Sequence, residues 1–215
     1  MDFYIAALGR SGSTALANWL TTPPTHVVFH EPNLLAETPT RLLEIQLGEW
    51  GMTREQALAG HWAAKEVQTE LHHRMIDAFR PAKIVLCVRN IRDAALSLFE
   101  KHRRQDSLDR YSDDWAADYM LTEAEGLVRL AERLDREAVP WRVMRHEEFG
   151  ERSLRALADW LGWPGGGDMA RGFDAFGRAF EADRARVRGL PAEVTALATT
   201  IGQQCFAFEQ RFYGS

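Results

Sequence analysis

The sequence predicts an α/β fold, a three-layer sandwich in which helices cover both faces of a central parallel sheet. Three observations carry this. Apolar runs of strand length alternate with helical stretches along the whole chain. The run Lys83 to Val88 (Lys-Ile-Val-Leu-Cys-Val) is apolar without alternation, as expected of a strand buried on both faces of a parallel sheet. A length of 215 residues, with no internal repeat, long linker or low-complexity tract, suits one domain over residues 1–215.

The elements follow in order. Phe3 to Leu8 is an unbroken apolar strand, interrupted by Gly9-Arg10-Ser11-Gly12-Ser13-Thr14. Ala15 to Leu20 reads as helix and stops at Pro23-Pro24. His26 to Phe29 is a short second strand ended by Glu31-Pro32. Leu34 to Leu47 and Thr53 to Ala59 have helical spacing, and His61 to Val67 fits a third strand. Thr69 to Phe79 is a helix with Leu71, Met75, Ile76 and Phe79 on its apolar side, broken by Pro81. Lys83 to Val88 follows, then Asn90 as N-cap with Asp93 three residues on, and a helix from Ile91 to about Arg104. Tyr111 to Arg136 is a long helix and Trp141 to Met144 another strand. Ser153 to Leu161 is a helix closed by Gly162 and Pro164, Gly165 to Gly167 a loop, and Ala192 to about Phe212 the last helix.

Composition excludes several classes. Hydrophobic residues at 46% and charged residues at 27% are globular values and argue against disorder. A net charge of -5 argues against a nucleic-acid partner. Within that acidic chain, Arg80 to Arg104 carries seven Arg/Lys against two acids, which points to a bound anion or to a solvated helix face. Two cysteines, Cys87 and Cys205, make no disulfide framework. No apolar segment is long enough to span a bilayer and no signal-type stretch opens the chain, so the expected location is cytoplasmic, without a membrane partner. His72, His73 and His102 have no partner at metal-ligand spacing, so no metal is expected.

The loop after the first strand has the features of a phosphate cradle. Unsatisfied backbone N–H groups and the dipole at a helix N-terminus favour an anion. Gly9 and Gly12 allow positive φ and close approach, Ser11, Ser13 and Thr14 add hydroxyls, and Arg10 adds charge-assisted donors. The Walker A pattern is not met, because Ser13 stands where its Lys would be. An ordinary Gly/Ser turn is the plainer reading of these six residues. The strand–loop–helix setting makes the expected fold P-loop NTPase-like.

This loop resembles the 5'-phosphosulfate loop of sulfotransferases that use 3'-phosphoadenosine-5'-phosphosulfate (PAPS), usually Pro-Arg-Ser-Gly-Thr-Thr. A second block strengthens the resemblance. Lys83 to Phe99, with Arg89-Asn90-Ile91-Arg92-Asp93 and then Ser97, is similar to the family's buried strand, Arg-Asp/Asn-Pro-x-Asp and following Ser. Weaker similarity runs from Trp141 to Phe149 and from Leu154 to Pro164. Gly9, Ser13 and Ile91 depart from the family's Pro, Thr and Pro without removing a hydroxyl or the cation. The resemblance implies a sulfotransferase with PAPS as donor, Arg10 on the 5'-phosphosulfate, and Arg89 and Ser97 on the 3'-phosphate.

Sulfuryl transfer needs in-line positioning, cations around the transferred group and a base for the acceptor hydroxyl. Glu31, in Phe29-His30-Glu31-Pro32, is the leading base and resembles the Glu-Pro of family members with a carboxylate base. Pro32 restricts the backbone at Glu31 to non-helical conformations. His30 competes by its intrinsic pKa, and strand alternation sends the two side chains to opposite sides of the sheet. Lys65, at the end of the third strand, resembles the family's strand-end Lys and is expected at the sulfuryl or leaving group. Val67 stands where the aryl and alcohol enzymes carry His, which favours Glu31. Solvated strand-end residues are the plainer reading of Glu31 and Lys65. Arg171, Arg178, Arg184, Arg186 and Arg188 resemble in position a basic loop over the 3'-phosphate, or else a solvated helix.

Two other readings compete. A P-loop kinase would need a loop Lys and a carboxylate at the end of the buried strand, where Arg89 stands. A catalytically inactive nucleotide-binding protein on the same fold would keep Arg89 and Ser97 without turnover. The acceptor carries no motif; a chain this short favours a small molecule, and oligomeric state is open.

Overall fold

A computed structural model describes residues 1–36, 40–105, 112–164, 181 and 185–214. The elements are β1 (Phe3–Ala7), α1 (Ser13–Leu20), β2 (His26–His30), α2 (Arg41–Trp50), α3 (Arg54–Ala59), β3 (His61–Glu66), α4 (Thr69–Phe79), β4 (Lys83–Val88), α5 (Ile91–Arg104), α6 (Asp113–Arg136), β5 (Trp141–Arg145), α7 (Glu151–Leu161), α8 (Ala192–Gln204) and α9 (Phe206–Tyr213). The five strands form one all-parallel sheet in the order β2-β3-β1-β4-β5, flanked by helices.

Period-two alternation sorts the strand residues into two cores. Phe3, Ile5, Ala7, Val28, Val85 and Cys87 pack against Leu16, Ala17 and Leu20 of α1 and Leu154, Leu157 and Leu161 of α7. Tyr4, Ala6, Val27, Phe29, Ile84 and Leu86 pack on the other face against α4, α5 and α6, with Ile201 of α8 and Phe208 and Phe212 of α9. The central strands are buried on both faces, which is why Lys83 to Val88 shows no alternation.

The chain runs from β1 outward to β2, and from β3 past β1 to β4. β1 and β4 are therefore neighbours whose following segments leave in opposite directions, the crevice where open parallel sheets bind ligands. The loop after β1 and Arg89 after β4 open into it.

Three expected elements differ. The helix expected from Leu34 is α2 from Arg41, because Thr40 is extended and its hydroxyl caps Leu43 N–H; buried Leu34 packs from the preceding segment. The single last helix is two, broken at Cys205 (φ -88, ψ 33). The break turns Phe208 and Phe212 into the core and carries Glu209 to the start of α5. Helix α6 starts at Asp113, capped by the Ser112 hydroxyl on Trp115 N–H. Tyr111 and the Gly165 to Gly167 loop lie outside the described residues. Among the described residues no helix is long and apolar enough to cross a membrane.

Candidate functional site

At the C-terminal edge of the sheet lies a cavity of about 920 Å³. Its wall carries Arg10, Lys65, Arg89, Lys101 and Arg186, and among the described residues one carboxylate, Glu31. Four strand ends build it, since Arg10 follows β1, Glu31 follows β2, Lys65 sits in β3 and Arg89 follows β4. Burying that much positive charge on one wall disfavours an empty or cationic interior and favours an anion.

The loop between β1 and α1 forms one side. Gly12, at φ 82, is the N-cap of α1 and offers no side chain, and no acidic residue stands in the first turn, so the positive end of the helix faces the cavity without a capping carboxylate. Gly12, Ser13 and Thr14 line the wall. The left-handed conformation expected at Gly9 falls instead on Arg10, at φ 68. A Cβ at Gly9 would meet Tyr119 Oη at 2.9 Å, so a side chain there would push the tyrosine ring aside. Ser11 is fully buried and turned inward, its hydroxyl on Cys87 Sγ at 3.5 Å and its N–H on Leu8 O at 3.2 Å. His146 Nδ1 reaches Ser11 O at 3.2 Å and the ring lines the cavity, a wall residue to which sequence reasoning assigned no role.

Arg89 is 7% exposed and donates from Nη1 to the Arg10 carbonyl at 3.3 Å. Ser97 is fully buried and accepts from Arg10 Nε at 3.1 Å. Arg10 thus links the two residues expected at the 3'-phosphate. Helix α5, which carries Ser97, is capped from three sides. Asn90 Oδ1 accepts from Asp93 N–H at 3.3 Å. The reciprocal bond comes from a distant residue, as Glu147 accepts from Asn90 N–H at 2.9 Å. Glu209 of α9 accepts from Ile91 N–H at 3.0 Å. One turn after Ser97, Lys101 lines the cavity, a placement that i, i+4 spacing could have signalled. Burial, and then the charge of Arg10, lower its pKa.

Glu31 leaves β2 in the left-handed region, at φ 47, a costly conformation for a residue before proline. The alternation that would separate it from His30 ends with the strand, and the Glu31 carboxylate turns over the sheet edge to pair with Lys65 Nζ. Lys65 is 1% exposed, so its ammonium has exchanged water for this carboxylate. His30 is buried in register with Lys65 but does not line the cavity. Burial first and Lys65 second lower its pKa to about 4, which leaves it neutral near neutral pH.

The remaining wall is apolar and aromatic. Val67 and Leu98 join Trp115 and Tyr119, whose rings stack at 5.2 Å and 12°. Trp115 is 39% exposed. Of the C-terminal arginines, Arg186 lines the cavity and Arg188 a neighbouring one of about 380 Å³ beside Arg89 and Arg92; Arg171, Arg178 and Arg184 lie outside the described residues. Among the described residues no group of three or more His, Cys, Asp or Glu is placed to hold a metal ion.

No protein-family model matches the chain and no curated protein matches it, so the chemistry of the cavity rests on its own residues.

Proposed function

We propose that the chain is a sulfotransferase on a P-loop NTPase-like fold, moving a sulfuryl group from PAPS to a hydroxyl (or amine) of a small-molecule acceptor. One observation carries this reading. The uncapped start of α1, the Arg10–Arg89 pair and the Glu31–Lys65 pair meet in one cavity. That is a set of anion donors beside a carboxylate held at the reacting end.

Arg10, Arg89 and the N-terminus of α1 bind the phosphates of the donor. Glu31 accepts the proton of the acceptor hydroxyl as its oxygen bonds to sulfur and the bond from sulfur to the 5'-phosphate oxygen breaks, releasing adenosine 3',5'-bisphosphate. Protonation of Glu31 removes the counter-charge from Lys65 as negative charge develops on the leaving phosphate. The ion pair therefore transfers the ammonium's attraction from the base to the leaving group. Val67, Leu98, Trp115 and Tyr119 border the space left for the acceptor. The volume, about 920 Å³, suits a nucleotide with a small acceptor.

The test is calorimetry with adenosine 3',5'-bisphosphate without metal, against ATP with Mg²⁺. The bisphosphate is expected to bind, and Arg89→Ala to weaken it by about 2 kcal/mol, the scale of a lost charge-assisted contact. Binding of ATP–Mg²⁺ but not the bisphosphate would reject the sulfotransferase in favour of a phosphotransferase. Tight bisphosphate binding with no transfer from PAPS to any hydroxyl acceptor would leave an inactive nucleotide-binding protein.

A further inference from the structure

We propose that Glu100 is a positioning residue that holds Arg186 at the cavity wall, so that its guanidinium is in place before an anion arrives. The anion's identity as the sulfuryl donor rests on the reading above; the tether rests on geometry.

Glu100 lies on α5 and is 6% exposed. Its Oε1 forms an ion pair with Arg186, 3.0 Å from Nε, and accepts from Arg104 Nε at 3.1 Å. Its Oε2 is buried and has no hydrogen-bond partner among the described residues. Taking a carboxylate out of water is costly even when it is paired, so stability alone would favour an apolar side chain here. The location explains the carboxylate. Arg186 lines a wall shared with Arg10, Lys65, Arg89 and Lys101. Like charges on one wall repel, and the Arg186 side chain is 42% exposed. Glu100 supplies the opposing attraction, its Oε1 3.0 Å from Arg186 Nε. On the same segment Val187 and Leu190 pack on the core, so the chain around Arg186 has an apolar footing. Two of the wall cations thus face a carboxylate, Lys65 facing Glu31 and Arg186 facing Glu100.

The sign of one substitution separates positioning from a plain charge effect. Removing a negative charge near an anion site tightens anion binding if only the field matters. If Glu100 positions Arg186, Glu100→Gln weakens binding instead, because a preorganised cation is lost. Affinity would be measured by calorimetry for adenosine 3',5'-bisphosphate and, in parallel, for inorganic pyrophosphate. Glu100→Gln is expected to weaken the bound anion about tenfold, and no further in an Arg186→Ala background. Arg186→Lys, which keeps charge at an exposed position where folding is safe, is expected to weaken it similarly, since a flexible ammonium replaces the planar guanidinium held beside Glu100. Unchanged or tighter binding in Glu100→Gln overturns the proposal. So does equal weakening with and without Arg186, which would make Glu100 merely structural, or failure of wild type to bind either anion. Wild type that takes pyrophosphate but not the bisphosphate rejects the donor reading, and Glu100 is then judged on pyrophosphate by the same criteria.

Discussion

A lysine ammonium as buried as that of Lys65 must have an anion beside it, and Glu31 leaves β2 in a strained conformation to supply one. The next residue, Glu66, points to the other face of the sheet and accepts from Asn33 N–H at 2.9 Å. Burial, and the nearby charge of Glu31, raise its pKa from 4.5 to about 7. A carboxyl whose folded pKa is raised stabilises the fold fully below its unfolded value, and that contribution is lost as pH rises through the folded one. Wild type is therefore expected to lose stability relative to Glu66→Gln between about pH 4.5 and pH 7, by up to a few kcal/mol. Urea unfolding of both proteins at pH 5 and pH 8 measures it; a difference independent of pH would show that Glu66 is not protonated in the folded state. The comparison with Glu66→Gln cancels the opposing effect of His72, whose pKa burial lowers to about 3 and which destabilises the fold as pH falls below 6.5.

At the scale of elements, the orientation of α5 decides where Ser97, Glu100 and Lys101 stand, and its first turn is secured from far along the chain. Glu209 of α9 takes Ile91 N–H at 3.0 Å and Asn90 Nδ2 at 3.2 Å. Glu209→Ala is expected to cost about 1–2 kcal/mol of stability, the range for a lost helix cap with donors left unpaired. Its unfolding midpoint in urea, compared with that of wild type, tests this, and an unchanged midpoint would mean that water replaces the carboxylate at no cost. The break at Cys205 has its physical reason here. A continuous helix would keep one apolar stripe, whereas two helices let Phe208 and Phe212 enter the core while Glu209 reaches α5. Both halves are helical in pattern, so the sequence gives no signal of a break that tertiary contacts impose.

For the whole molecule, a chain of net charge -5 concentrates five Lys/Arg side chains of the described residues on one cavity wall. Net charge opposes an anionic ligand and the local wall attracts it, and over a Debye length of about 8–10 Å the wall dominates. Bisphosphate affinity is accordingly expected to fall several-fold between about 50 mM and 300 mM NaCl. Calorimetry across that range checks it; an affinity indifferent to salt would remove these cations from binding.

What the sequence by itself determined is local. Phe3 to Ala7 with the glycine- and hydroxyl-rich loop, and Lys83 to Val88 running into Arg89 and the Asn90 cap, are each set by neighbours within a few residues, through burial, φ freedom and capping. An α/β parallel sheet follows from such runs. Only the tertiary structure decided which strand ends share an edge, because the order β2-β3-β1-β4-β5 depends on pairings between distant segments. It alone set Glu31 on Lys65 instead of opposite His30, turned Ser97 to Arg10, faced Ser11 inward, and put Glu100 behind Arg186. Those relations arise from packing and from the cost of burying unpaired charge, and neither is encoded within one segment.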